Sequence, residues 1–492
     1  MSRLPIRARL LAAALTLSSL LAACGGGGGG GASTVTPTPT PVASLTLAAS
    51  PTAITAGQNL TLTWSSQNTG ASACTASGAW SGSQAASGSA TVAAPALEGA
   101  ALSATATYTL TCASTVASTT VTVNAPPAAN VVAMTVDGGP SGAGNQINLP
   151  YVSVTVCKPG TSTCVTIDHI LVDTGSYGLR LLAPQALALG LPAVTAPSGA
   201  AAGECGQFVG GYTWGAVVSA DIKLGGETAS AQSVQLIGGS PGGVTATPAS
   251  CSSVGGNIGT VSALGANGIL GVGLLRQDCG AACVNSAISA TYYSCTGSSC
   301  SASRMPLASQ VSNPVAAFAV NNNGVLLRLP AVGAGGASAL DGSLVFGIGT
   351  AANNAIAGET ILRANSAGNL TTIYKGVTMS ASFLDSGSNG LFFNDAALPV
   401  CTVSKGFYCP TSTLNLNATM AAADGSASRS IDFMVENVES LGNGIHAANV
   451  GGPSGSTHAG GANAFDWGLP FFFGRRVFVG MENGATRGYW AY

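Results

Sequence analysis

Ile170-Leu171-Val172-Asp173-Thr174-Gly175-Ser176 and Phe383-Leu384-Asp385-Ser386-Gly387-Ser388 carry one short signature twice, 212 positions apart. In both copies an acid follows an apolar, strand-like run. A second apolar run comes after it: Leu179 with Leu181-Leu182 in one copy, Leu391-Phe392-Phe393 in the other. Burying a carboxylate between two such runs is costly unless it is hydrogen-bonded or protonated. Repeating that cost in the same local context points to two matched loops that bring two carboxyls together. Paired carboxyls are acid–base machinery, so the pattern points to an enzyme. An Asp-Thr-Gly or Asp-Ser-Gly triplet alone is an ordinary turn. The second copy, in a chain with only 11 Asp, gives the first its weight.

The chain has 492 residues, room for two or three domains. Charged residues make up 7%, and Gly accounts for 68 positions. This composition suits an all-β fold with many turns. The 16 Lys+Arg against 18 Asp+Glu give a formal net charge of −2 and no basic face. Nucleic acid is therefore not an expected partner.

The first 23 residues read as a signal segment. Arg3, Arg7 and Arg9 precede an apolar run, Leu10 to Leu21, too short to span a bilayer as a helix. Leu21-Ala22-Ala23-Cys24 resembles a bacterial lipobox, which implies lipidation of Cys24 and a membrane anchor. Gly25 to Gly31 and Thr36-Pro37-Thr38-Pro39-Thr40-Pro41 then form a tether up to residue 42. No acid directly follows Cys24, so the expected location is the cell envelope, at the outer membrane. Twelve further cysteines in an exported chain favour disulfides. The sequence-local pairs are Cys74–Cys112, Cys157–Cys164, Cys205–Cys251 and Cys401–Cys409. Cys279, Cys283, Cys295 and Cys300 pair among themselves in an order left open. The three His (His169, His446, His458) are remote from that group, so no metal or other cofactor is expected.

Residues 43–124 read as a small β-sandwich. Leu60, Leu62 and Trp64 alternate with Thr61 and Thr63, and Tyr108, Leu110 and Cys112 alternate with Thr109 and Thr111. This module resembles the immunoglobulin-like spacers of bacterial exported proteins, with Cys74–Cys112 as an inter-sheet bridge near Trp64. Residues 125–130 are a Pro-containing linker. Strands are expected at Val152–Val156, Val217–Leu224, Ala316–Val320, Leu326–Leu329 and Ser343–Ile348, with a helix around Pro184–Leu189. The stretch 279–300 reads as an inserted loop. Gly238-Gly-Ser240-Pro-Gly242 fits a serine-hydrolase pattern, but Pro241 opposes the helix that should follow Ser240.

Residues 131–492 resemble the pepsin-like aspartic peptidases. The first signature looks like their first catalytic loop, and Asn267-Gly-Ile-Leu-Gly271-Val-Gly273 like the segment closing the first lobe. Leu384-Asp-Ser-Gly-Ser388 looks like the second loop, and Phe465-Asp-Trp-Gly-Leu-Pro-Phe-Phe-Phe-Gly-Arg475 like the second closing segment. The resemblance implies a two-lobed all-β fold, with lobes of about 131–315 and 316–492. It implies that Asp173 and Asp385 share one proton and activate a water against a peptide bond. Thr174 and Ser386 would lock the loops, Gly175 and Gly387 would permit close approach, and Ser176 and Ser388 would orient the acids. Residues 205–217 would form a flap. The family's flap Tyr falls on Phe208 here, with Tyr212 or Trp214 as substitutes. Pro470 stands where the closing segment is expected to have Gly. Trp467 and Phe471-Phe-Phe473 read as lobe core.

The expected function is a lipid-anchored, monomeric aspartic endopeptidase acting on peptide or protein. The alternative is a catalytically silent surface lipoprotein of the same fold that binds peptide or glycan.

Overall fold

The computed structural model describes residues 41–96, 103–124, 128–454, 461–484 and 486–492. The signal segment, Cys24, most of the tether, the start of the 125–130 linker and His458 lie outside these residues. The protein is all-β: among the described residues every helix is a single turn of three to five residues. None is long and apolar enough to cross a membrane. The chain divides into two compact units, Met1–Pro126 and Pro127–Tyr492.

The first unit holds a three-stranded and a five-stranded sheet around one core. Strand Asn59–Gln67 alternates as the sequence predicts: Leu60, Leu62 and Trp64 face inward, and the threonines between them face solvent. Tyr108, Leu110, Val121 and Val123 meet them from the other sheet. The Cys74–Cys112 disulfide forms, but it does not bridge the sheets. Its strands, Ala73–Gly78 and Ser103–Cys112, are antiparallel neighbours in one sheet, with Thr75 opposite Thr111.

The second unit is built on a fifteen-stranded and a seven-stranded sheet. The strand Val131–Val136 joins its two halves. It pairs with Pro150–Tyr151 on one side and, over six residues, with Leu340–Val345 on the other. The opening strand of this unit therefore lies in the ladder of its second half. Residues 128–130 also belong to this unit rather than to a free linker. Asn130 is buried and donates to the Phe346 carbonyl, and the Ala129 carbonyl accepts from Gly226.

Two local expectations are corrected. Ala316–Val320 is not a strand, because Pro314 opens a 3-10 turn over Pro314–Ala317 that Asn313 caps through the Val315 amide. The segment 279–300 is more than an inserted loop. Its strand Tyr292–Thr296 extends the sheet beside Ala201–Glu204, and Tyr292 and Tyr293 are fully buried. Its cysteines pair as neighbours, Cys279–Cys283 and Cys295–Cys300. The other disulfides are Cys157–Cys164, Cys205–Cys251 and Cys401–Cys409. Ser240 precedes a 3-10 turn, Pro241–Gly243, rather than a helix that would present it as a nucleophile.

The core of the second half is aromatic. Trp467 is fully buried, stacks on Phe465 at 3.9 Å, and meets Phe433 and Phe471 edge-on. Trp467→Ala is expected to cost about 3–5 kcal/mol, the range for truncating a large buried aromatic. Urea denaturation of wild type and variant measures it.

Candidate active site

Strand Cys164–Asp173 ends at Asp173, and strand Val377–Leu384 ends one residue before Asp385. Apolar residues that favour buried strands carry each chain to the same depth, and the Gly that follows turns it. The two turns then interlock. The Thr174 hydroxyl donates to the Leu384 carbonyl at 3.2 Å and accepts from the Ser386 amide at 2.9 Å. The Ser386 hydroxyl donates to the Val172 carbonyl at 2.6 Å and accepts from the Thr174 amide at 3.1 Å. Both side chains are buried. Each satisfies two backbone groups of the opposite loop that would otherwise be orphaned.

The acids are held just as symmetrically. Gly175 N–H donates to Asp173 Oδ1 and Gly387 N–H to Asp385 Oδ1, both at 2.8 Å. Ser176 and Ser388 hydroxyls donate to the Oδ2 atoms at 2.5 and 2.9 Å. The glycines are needed for proximity. A Cβ on Gly175 would stand 2.7 Å from the Asp385 carboxyl carbon, and one on Gly387 would stand 2.8 Å from Asp173 Oδ1. Each carboxyl lies over the other loop's glycine, which brings the two carboxyls close together. Asp385 keeps some surface open to a cleft, yet burial first, then the charges of Asp173 and Asp466 and the bond to Asp173, push its pKa well above the ordinary carboxyl range; Ser388 opposes them. Two carboxyls in contact cannot both ionise cheaply, so the pair holds a proton between them.

The closing segments match in register. Asp173 lies opposite Gly271. Leu384 lies opposite Trp467, which sets Asp385 beside Gly468. Gly468, not Pro470, is therefore the counterpart of Gly271, and the glycine expected there is present two positions earlier. Both are required. A Cβ on Gly271 would stand 2.5 Å from the Tyr177 amide nitrogen, and one on Gly468 would stand 2.1 Å from the Gly390 carbonyl oxygen. Pro470 falls in the 3-10 turn Leu469–Phe472, where a missing N–H is tolerated. The support for Asp385's loop comes from Leu469, whose amide donates to the Ser388 carbonyl at 2.8 Å.

A cavity of about 430 Å³ opens over the pair. The hairpin of Ala201–Phe208 and Gly211–Leu224 forms one wall, with Gln207, Phe208 and Val209 at its tip. Tyr212 and Trp214 do not substitute for a cleft phenol. Both are buried in the core, where Trp214 meets Tyr293 edge-on at 5.3 Å. The Arg180 guanidinium lies 5.6 Å from the Phe208 ring and is itself buried, paired with Glu204 and with Asp278 at 3.1 Å. The cleft's phenol is Tyr177, next after the first signature and not singled out by the sequence reasoning. Burial, then Asp173, Glu482 and Asp385, push it up to about 12, so it stays protonated. Asn369 and Trp490 line the cleft as well, and nothing in their local sequence marks them. Asp466 was also missed, although comparing the two closing segments position by position would have exposed it.

Two matched acid-bearing loops, locked together under one cleft in an all-β unit, thus define the site. Residues 126–492 match the family described as Protein of unknown function (DUF3443), and the chain belongs to that family. No curated protein matches the chain.

Ser386→Ala leaves the Thr174 amide and the Val172 carbonyl buried without their partner. It is expected to destabilise the second unit by about 1–3 kcal/mol, while Ser386→Thr, which copies Thr174, restores the loss. Thermal unfolding of the two variants checks this.

Proposed function

We propose that the protein is an aspartic endopeptidase of the cell envelope. The observation that carries this reading is the close approach of Asp173 and Asp385 at the floor of the cleft, each fixed by a glycine amide and a serine hydroxyl. With the shared proton resting on Asp385, the partner carboxylate accepts a proton from a water bound between them. The hydroxide equivalent attacks the scissile carbonyl carbon, and Asp385 donates its proton to the carbonyl oxygen. Collapse of the tetrahedral diol breaks the C–N bond as the nitrogen takes up a proton from the pair. No covalent intermediate forms, and the two titrations belong to the pair rather than to either residue.

The cleft supports an extended peptide as substrate. It is open, and Phe208, Val209, Leu274 and Trp490 give it apolar wall. Phe208 brings no hydroxyl to the hairpin tip, which favours the second reading, a peptide- or glycan-binding protein without turnover. The resemblance of the first 24 residues to a lipoprotein leader supports anchoring through Cys24, and six disulfides suit an oxidising compartment.

Incubation of the full chain with unfolded protein from acidic to neutral pH tests the chemistry. Asp173→Asn and Asp385→Asn are each expected to lower cleavage by at least about 10²–10⁴-fold, the range for removing a general acid or base. Cleavage that persists in both variants rejects the mechanism, and a folded wild type that cleaves at no pH favours the binding reading. Anchoring is read separately: Cys24→Ser is expected to move the protein from the membrane to the soluble fraction.

A further inference from the structure

Ser388 has one hydroxyl proton and two acidic neighbours. Its Oγ lies 2.9 Å from Asp385 Oδ2 and 2.6 Å from Asp466 Oδ2. A hydroxyl donates once. Both contacts can be hydrogen bonds only if one of the two carboxyls supplies a proton of its own.

The internal repeat shows that this third acid is specific to the second half. Asp466 lies two residues before Gly468, opposite Phe383. The matching residue of the first half, two before Gly271 and opposite Leu171, is Ile269, which is buried and apolar. Accordingly Ser176 has one acid partner, Asp173, and Ser388 has two.

The surroundings of Asp466 decide which carboxyl carries the proton. Asp466 is 1% exposed, and its Oδ1 has no hydrogen-bond partner. An ionised carboxylate with a bare oxygen would be expensive there. A neutral carboxyl with its O–H on Oδ2 leaves only a carbonyl oxygen unpaired, at lower cost. Its short strand lies between Val377–Leu384 and Leu391–Phe392. From those elements and their loops the polar groups that face it are Ser388 and Asp385, with Asp173 across the pair. Among the described residues no Lys, Arg or His forms an ion pair with it.

We propose that Asp466 is a third, protonated carboxyl of the site, a positioning residue that donates to Ser388 and so commits the Ser388 hydroxyl proton to Asp385. The three carboxyls then hold two protons and one negative charge. When Asp466 ionises, Ser388 is drawn round to donate to it. Asp385 loses its hydroxyl donor and a second charge enters the cluster. The catalytic consequence rests on the aspartic-pair reading; the protonation does not.

Burial pushes Asp466 to about 8, against the bond from Ser388 and with help from Asp173. A pKa raised in the fold contributes stability that is present in full below the ordinary value of 3.8 and is lost as pH rises through about 8. Asp385, raised too, acts in the same sense. Unfolding midpoints of the full chain are therefore expected to fall across this window. In Asp466→Asn, whose amide can donate to Ser388 but cannot ionise, the fall should shrink by the share of one proton. If the protein cleaves peptides, the variant keeps activity at acidic pH, and the alkaline limb of its kcat/KM profile moves up by about one unit or more. A variant that is less stable at every pH but has the wild-type slope overturns the proposal. Should Asp466→Asn not fold, carbon-13 titration of aspartate-labelled wild type reads the same quantity. An Asp466 carboxyl still protonated at about pH 6 supports the proposal, and an ionised one overturns it. The stability and carbon-13 arms need no turnover. A protein that shows the Asp466 titration but no cleavage keeps this inference and loses the peptidase reading.

Discussion

Four hydrogen bonds made by Thr174 and Ser386 hold the site together, and most of its geometry depends on them. Each hydroxyl reaches across to the other loop and takes one backbone donor and one backbone acceptor. Because both residues are buried, neither loop can withdraw without leaving unpaired polar groups behind. That constraint fixes the distance between two carboxyls that would otherwise repel. The shared proton, the raised Asp385 and the strict need for glycine at 175 and 387 all follow from that distance.

A second polar cluster lies beneath the cleft wall. Arg180 is buried under Phe208 and donates to the Tyr177 carbonyl, Glu204 and Asp278, while the Tyr292 hydroxyl donates to Asp278. Burial and the neighbouring Glu204 raise Asp278 well above the usual carboxyl range. The cluster ties the strand after the first acid to the hairpin and to the Cys279–Cys283 segment. Gly206 leaves room for it, since a Cβ there would stand 2.9 Å from Arg180 Nε. The Phe208 ring therefore rests over a buried charged cluster.

The repeated signature was legible because the same physical demand, an acid at the end of a buried strand, writes the same residues twice. Cys157–Cys164 and Cys401–Cys409 were legible because cysteines 7 and 8 residues apart need little fold to meet. Register was less so. The resemblance of the closing segments sets Pro470 where a Gly is expected, and only the strand pairing identifies Gly468 as the counterpart of Gly271. Side-chain direction was also hidden. Tyr212 and Trp214 sit on a hairpin that alternates faces, and their distance from the hairpin tip does not say that both turn into the core. Residues brought in from far along the chain, Asn369 and Trp490, have no local signature at all.

The strand Val131–Val136 carries one more consequence, for how the chain is made. It pairs along six residues with Leu340–Val345, some 200 positions later, while Gly324–Arg328 awaits Arg476–Gly480 near the end. A chain that emerges from its amino end cannot complete this sheet until nearly all of it has arrived. Contacts of such long range make folding slow, and the opening strand spends that interval with a bare edge. The first unit, whose strands pair within some 80 residues of one another, is free to fold at once and gives the emerging chain an early folded domain.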